Sequence, residues 1–431
     1  MSESVFQFRG TMSERTLRAY LSRAVTALGL CAEGAHENLQ FEEDLRFIRN
    51  VGAKFVSRAA VFAWTTLRAE DMERHFALAR EYAERVHAAD PEIILNAFTA
   101  EIVRRGCTDG TPIPAWVFEA FGKEPEPRNF RFDDIITLEK GPDFWGKDAG
   151  YPDYSREECQ MWYYYCNRRY IDCGYECIHM QESADDSEIP QVDKVLTLCR
   201  EYAKKAARRG LVLFHSFFRR ETGGDAIDGR LLFDIHGNGL VPHRTVAEEG
   251  AQKCKICSRD ESPYTWFGCS RGGRHPLGFE VESNPAIMEL DNYGNHPDFA
   301  PWGHDDITWF SLQPEWYRNE FLWYAERLLS ENYRTSDGKR TYYFMLTLRR
   351  CIVPEELAPR VAYFPGEGFD EAYFRAFCGD REEGIEARRL PDGSYTLSIP
   401  KTYHSNTRSD ACPTGGNQER TIQAILAQRE L

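Results

Sequence analysis

The sequence predicts an α/β chain: a (β/α)8 TIM barrel with long βα-loop insertions and a small C-terminal appendage. Three observations predict it. Short apolar runs alternate with amphipathic helical patterns between residues 24 and 353. The runs are apolar throughout rather than alternating, as strands buried on both faces are, so they belong to a parallel sheet. The helical patterns end in Gly or Asp-Pro, which stop helices.

The runs follow in order. AVTALGL (24–30) is the first, KFVSRAAVFAW (54–64) the second and IILNAFTAEIV (93–103) the third. An irregular stretch rich in Pro, Gly, Phe and Trp fills 106–155. An insertion of that length is expected to be a lid or wall. Ser155 and Glu158 then have the spacing of a capping box at the start of a helix. YECIHMQES (175–183) is the fourth run, LVLFHSFF (211–218) the fifth and RLLFDIHG (230–237) the sixth. FEVES and AIMELDN compete for the seventh place, and TYYFMLTLRRCIV (341–353) is the eighth. The barrel is expected over 1–353. The remainder, 354–431, is expected as an appendage holding a hairpin around Asp392-Gly393 and a polar tail.

Composition narrows the function. A net charge of -15 disfavours a nucleic-acid partner and an anionic membrane surface. No apolar stretch nears the roughly 20 residues that cross a bilayer, and the start lacks the pattern of a signal peptide. A cytoplasmic protein with reduced cysteines is expected, because the 13 Cys are odd in number and irregularly spaced. Homo-oligomerisation is left open.

In this fold, active sites form at the C-terminal ends of the strands. The acids and histidines there are Glu101, Glu182, His215, Asp234, His236, Glu289 and Asp291, with Glu282 in the competing seventh run. Period-two alternation places Asp234 and His236 on one face. Glu289 and Asp291 share the same spacing, and neighbouring carboxylates split into an acid and a base. Asn292, Trp302, Asp305 and Trp309 follow in the same acid- and aromatic-rich stretch, where rings exclude water and pack on the C–H faces of a sugar. Cys254, Cys257, Cys269 and His275 have half the spacing of a zinc site, without a paired second half. Neither a metal nor a cofactor is expected.

An acid after the fourth strand and another at the seventh resemble the glycoside hydrolases built on TIM barrels. The resemblance implies Glu182 as acid/base and Glu289, or else Glu282, as nucleophile. This chain has Gln181 where that clan usually has Asn. Glu101, His215, Asp234, His236, Asp291, Asn292, Trp302, Asp305 and Trp309 would bind a small-molecule or oligosaccharide substrate. Two other functions fit the same barrel. One is a metal-dependent sugar isomerase or lyase, with Glu182, Asp234, His236 and Glu289 as ligands and His215 joining for zinc. The other is a non-catalytic carbohydrate-binding barrel.

Overall fold

A computed structural model describes residues 4–62, 68–99, 101–145, 147–180, 186–217, 226–240, 242–248, 251–256, 270–291, 306–352, 380–381, 385–389, 395–397 and 402–430. A curled, parallel-rich sheet forms its centre. The strands are β1 (Ala24–Ala27), β2 (Phe55–Val61), β3 (Ile94–Thr99), β4 (Cys177–Met180), β5 (Leu213–Phe217), β6 (Ile235–Gly239) and β7 (Ala286–Glu289). β8 (Tyr342–Phe344) and β9 (Leu346–Cys351) follow, separated only by Met345. Each of the first seven pairs parallel with the next. β8 pairs parallel with β7, and β9 pairs parallel with β1. β10 (Thr402–His404) adds an antiparallel edge to β9.

Between the strands run α1 (Glu14–Ser22), α2 (Phe41–Val51), α3 (Ala69–Ala89), α4 (Glu157–Asp172), α5 (Ile189–Ala206), α6 (Asp306–Leu312) and α7 (Glu315–Asn332). α1 starts where the Ser13 hydroxyl accepts from the N–H of Thr16 at 3.1 Å, satisfying an otherwise orphaned donor. Two apolar layers result. One packs the outer sheet face on the helices. The other packs Phe55, Ile94, Cys177, Leu213, Ile235, Ile287 and Tyr343 with Leu17 and Leu21 of α1. Because side chains alternate faces along a strand, this second list marks the concave side, and α1 plugs its lower end.

Three local expectations change. Strand six starts at Ile235, because Arg230–Leu231 pairs instead with Ala226–Ile227. FEVES supplies only Glu280–Val281, paired with Gly273–Arg274 away from the central sheet, so AIME is the seventh strand. The Ser155–Glu158 box does not form: Ser155 bonds Asp153 at 2.5 Å, while Glu158 accepts from both terminal nitrogens of Arg128 at 2.7 and 2.9 Å.

Besides β10, the chain after β9 contributes a three-stranded antiparallel sheet of Asp380–Arg381, Ile385–Arg389 and Tyr395–Leu397. It also contributes α8 (Glu419–Gln428), which buries Ile422, Ile425 and Leu426. This helix begins where the polar stretch 404–420 ends and is fixed to α2 by Arg46 and Glu419 at 2.8 Å. Among the described residues no helix is long and apolar enough to cross a membrane.

Candidate functional site at the strand C-termini

The concave face turns polar towards the C-terminal ends of the strands. Arg58 is the centre of the polar layer. It is 5% exposed and sits within β2 at φ 56°, where the register with β3 shifts between Val56 and Ala60. A non-glycine residue in this left-handed region is strained. The conformation is held by two bonds: the Arg58 N–H donates to Asn96 Oδ1 at 3.1 Å, and its carbonyl accepts from the Gly29 N–H at 2.9 Å. The kink sends the guanidinium between the rings of Phe98 and Phe217, 4.7 and 5.7 Å from their centroids.

Two acids at the end of β7 meet this guanidinium. Arg58 Nε donates to Glu289 Oε1 at 2.7 Å, and a terminal nitrogen donates to Asp291 Oδ2 at 3.0 Å. Arg350 at the end of β9 binds the other oxygen of Asp291. Glu289 is 1% exposed, and its second oxygen, Oε2, has no hydrogen-bond partner among the described residues. Buried carboxylates need such partners, since desolvating an unpaired charge costs several kcal/mol.

Glu101, just past β3, belongs to the same electrostatic group: Arg58 and Asp291 both act on it. Burial pushes its carboxyl up to about 7, with Arg58 opposing and Asp291 reinforcing that rise. Its Oε2 is buried without a hydrogen-bond partner among the described residues. The insertion closes over this point. Val103–Arg104 pairs with Ala149–Gly150, and the indole N–H of Trp145 donates to the Glu101 carbonyl at 3.2 Å. The irregular segment thus sets the Trp145 indole against the backbone of Glu101.

His179 and His215 lie side by side in β4 and β5, with ring centroids 4.0 Å apart. Burial drives both well below the usual imidazole range; His215 adds to this for His179, and Arg58 does so for both. Their surroundings favour the neutral imidazole. Gly237 makes room for them: a Cβ there would stand 2.7 Å from His215 Nε2 and 2.4 Å from the Ile287 carbonyl. Gly29 has a comparable role at the rim, where its φ of +67° and a hypothetical Cβ 2.8 Å from Glu33 Cβ exclude a side chain. There the Gly29 carbonyl accepts from Arg349 at 2.6 Å.

The structure therefore brings together Glu101, His215, Glu289 and Asp291 of the residues singled out from the sequence. It does not bring Asp234, His236 or Glu282 to them. Asp234 and His236 do share a face, but it is the one turned to the helices. Asp234 accepts from Arg200 of α5 at 3.0 Å and from the Phe214 N–H at 2.8 Å. His236 packs on Phe233, 5.9 Å between ring centroids. Glu282 precedes β7 at the opposite end of the strand from Glu289, where it is exposed and accepts from the Ser336 N–H at 2.9 Å. Glu182, Asn292, Trp302 and Asp305 lie outside the described residues, as does the side chain of Trp309, which sits in α6.

Arg58, His179 and Arg350 went unnoticed in the sequence. The signal for the arginines was available. A buried pair such as Glu289 and Asp291 demands a cation, and both arginines lie within strands read as buried.

Zinc is not favoured at the cysteine pair. His275 accepts from the Leu277 N–H at Nδ1 (3.1 Å) and donates from Nε2 to the Asp234 carbonyl (2.8 Å), so no lone pair is left for a metal. Cys257 and Cys269, and the side chain of Cys254, lie outside the described residues. Among the described residues no group of three His, Cys, Asp or Glu is placed to hold a metal ion, and nine cysteines are free and buried.

No family model and no curated protein matches the sequence. Solved structures similar to the chain include the cyclic α-maltosyl-(1→6)-maltose hydrolase of Arthrobacter globiformis in complex with maltose, at 11% identity and TM-score 0.42, over 95% of this chain and 83% of that one. The α-glucosyl transfer enzyme XgtA aligns with the same identity, score and coverage. An isomalto-dextranase from Arthrobacter globiformis complexed with panose aligns at 10% identity and TM-score 0.30, over 54% of this chain. The chain spans only 41% of that enzyme's length. At these identities and scores the residues, and not the neighbours, carry the functional reading.

Proposed function

We propose that the chain hydrolyses a glycosidic bond in a neutral carbohydrate or glycoside, at the C-terminal rim of a closed (β/α)8 cylinder formed within residues 1–353. The pairing of β8 with β7 and of β9 with β1, across the single residue Met345, supports closure. The observation that carries the activity is the contrast between two buried carboxyl groups around one arginine. Glu289 is clasped by Arg58, and Glu101 holds its proton up to about 7. Glycoside hydrolysis needs such a pair: one group donates to the leaving oxygen, and the other attacks the anomeric carbon or activates water.

Glu289 takes the carboxylate role, because Arg58 fixes its Oε1 and leaves its Oε2 free. Glu101 takes the donor role. Glu182, which follows β4 in the sequence, is the competing donor. The neutral imidazoles of His179 and His215 and the ion-paired Asp291 suit hydroxyl groups rather than a charged substrate. Separation of the two carboxyl groups in the complex sets the stereochemistry: about 5–5.5 Å gives retention and roughly 6.5–9.5 Å gives inversion.

The test is turnover of a panel of aryl glycosides and oligosaccharides by the wild type and by Glu289→Gln, Glu101→Gln and Glu182→Gln. Release of sugar by the wild type, lost in Glu289→Gln and in one donor variant, is expected. Undiminished turnover in Glu289→Gln removes the assignment.

A further inference from the structure

The opposite end of the sheet carries a cavity that the proposed chemistry leaves unused. It measures about 720 Å³ and lies between α1, α7, the turn before β8 and the end of α8. Small-molecule sites commonly have this size. Seven Lys and Arg side chains line it against five Asp and Glu, in a chain whose net charge is -15.

Its floor is a buried cluster with surplus positive charge. Glu326 is its single buried carboxylate. It accepts from Arg340 at 2.6 and 3.0 Å and from Arg429 at 3.1 and 2.6 Å. Arg429 is 7% exposed. Burial pushes its pKa down, Glu326 resists, and Arg340 and Arg23 add to the fall as like charges. Arg23, behind the lining, has its Nη1 buried without a hydrogen-bond partner among the described residues. Backbone carbonyls take further N–H groups of these arginines, Ser22 and Phe344 from Arg429 and Tyr342 from Arg340, but carbonyls carry no charge, so two guanidiniums on one carboxylate leave a net positive field beneath the cavity that favours an anion in it. At the mouth, Arg15 and Arg327 are exposed, and neither has an ion pair among the described residues. Trp323 and Ile425 add an apolar side to the same wall.

We propose that this cavity binds a small organic phosphate, with its oxygens on the arginines and its carbon frame along Trp323 and Ile425. Guanidinium forks match phosphate oxygens in pairs, and a dianion meets the surplus of two charges on the lining. The site is separate from Glu289, which stands at the C-terminal end of its strand, whereas Arg340 precedes β8.

Calorimetric titration of the full chain with glycerol phosphate, inorganic phosphate, citrate and glycerol, at matched ionic strength, tests this independently of any glycosidase activity. Glycerol phosphate is expected to bind more tightly than inorganic phosphate or citrate, and glycerol not at all. The double variant Arg15→Glu/Arg327→Glu is expected to weaken binding about tenfold or more, as loss of charge-assisted bonds does. Both positions are exposed and unpaired, so the fold should persist, as thermal unfolding will show. Should the double variant unfold, the single Arg327→Gln is expected to weaken binding in the same direction. No heat from either phosphate, binding untouched by these variants, or citrate binding more tightly than glycerol phosphate overturns the proposal.

Discussion

Replacing Glu101 by Gln should change the pH dependence of stability in a calculable way. Glu101 is 4% exposed, and its carboxyl is raised from 4.5 to about 7 by burial. Each unit of difference between folded and unfolded states is worth 1.36 kcal/mol, so the gap corresponds to about 3 kcal/mol. The folded state holds the proton more tightly. Its contribution is therefore fully present below 4.5 and is lost as the pH rises through 7. Gln cannot ionise and escapes this loss. The variant should gain on the wild type by roughly 3 kcal/mol between acid and pH 8.5, or about 3–4 °C in Tm for a chain of this length. Denaturant melts of both proteins from pH 4 to 8.5 read the difference directly. A difference that stays constant across the range would show an ordinary carboxyl, and the donor role would lose its physical basis. Activity supplies the second reading: wild-type kcat/KM should fall as the pH rises through about 7.

Other outcomes follow from the same geometry. Glu289→Gln should lower turnover by about 10²- to 10⁴-fold with the fold intact, read by steady-state kinetics and circular dichroism. Asp234→Asn should cost about 1–3 kcal/mol in denaturant melts, because Arg200 and the Phe214 N–H lose a charged acceptor. It should leave KM unchanged, since Asp234 faces the helices. Arg58→Met should destabilise by about 3–5 kcal/mol, leaving Glu289 and Asp291 buried with fewer partners. Gly237→Ala should cost at least about 1–3 kcal/mol, since its Cβ would collide with the Ile287 carbonyl.

The strands were legible because burial on both faces writes a continuous apolar run: the first five and the seventh hold one strand each and the eighth holds both β8 and β9, while the sixth holds only the start of β6. The helical tail was not, because its spacing of Ile422, Ile425 and Leu426 is short and set among polar residues. Alternation showed that Asp234 and His236 share a face, but a period of two is silent about which face meets the helices. That depends on the register with β5 and β7, where Ile235 and Ile287 take the concave side. Glu282 was misplaced for a related reason: FEVES and AIME both look like strands, and only partner strands decide between them. The need for a buried cation beside Glu289 and Asp291 was legible, but that Arg58 supplies it depended on a backbone kink at φ 56°, which no local pattern announces.

The central claim is that Glu289 and Glu101 flank one glycosidic bond. A crystal structure of Glu289→Gln with an oligosaccharide that the wild type cleaves tests it most directly. The predicted result is an anomeric carbon about 3–3.5 Å from the residue 289 side chain, with the glycosidic oxygen in hydrogen-bond reach of the Glu101 carboxyl. A saccharide bound with its scissile bond away from both side chains would contradict the account.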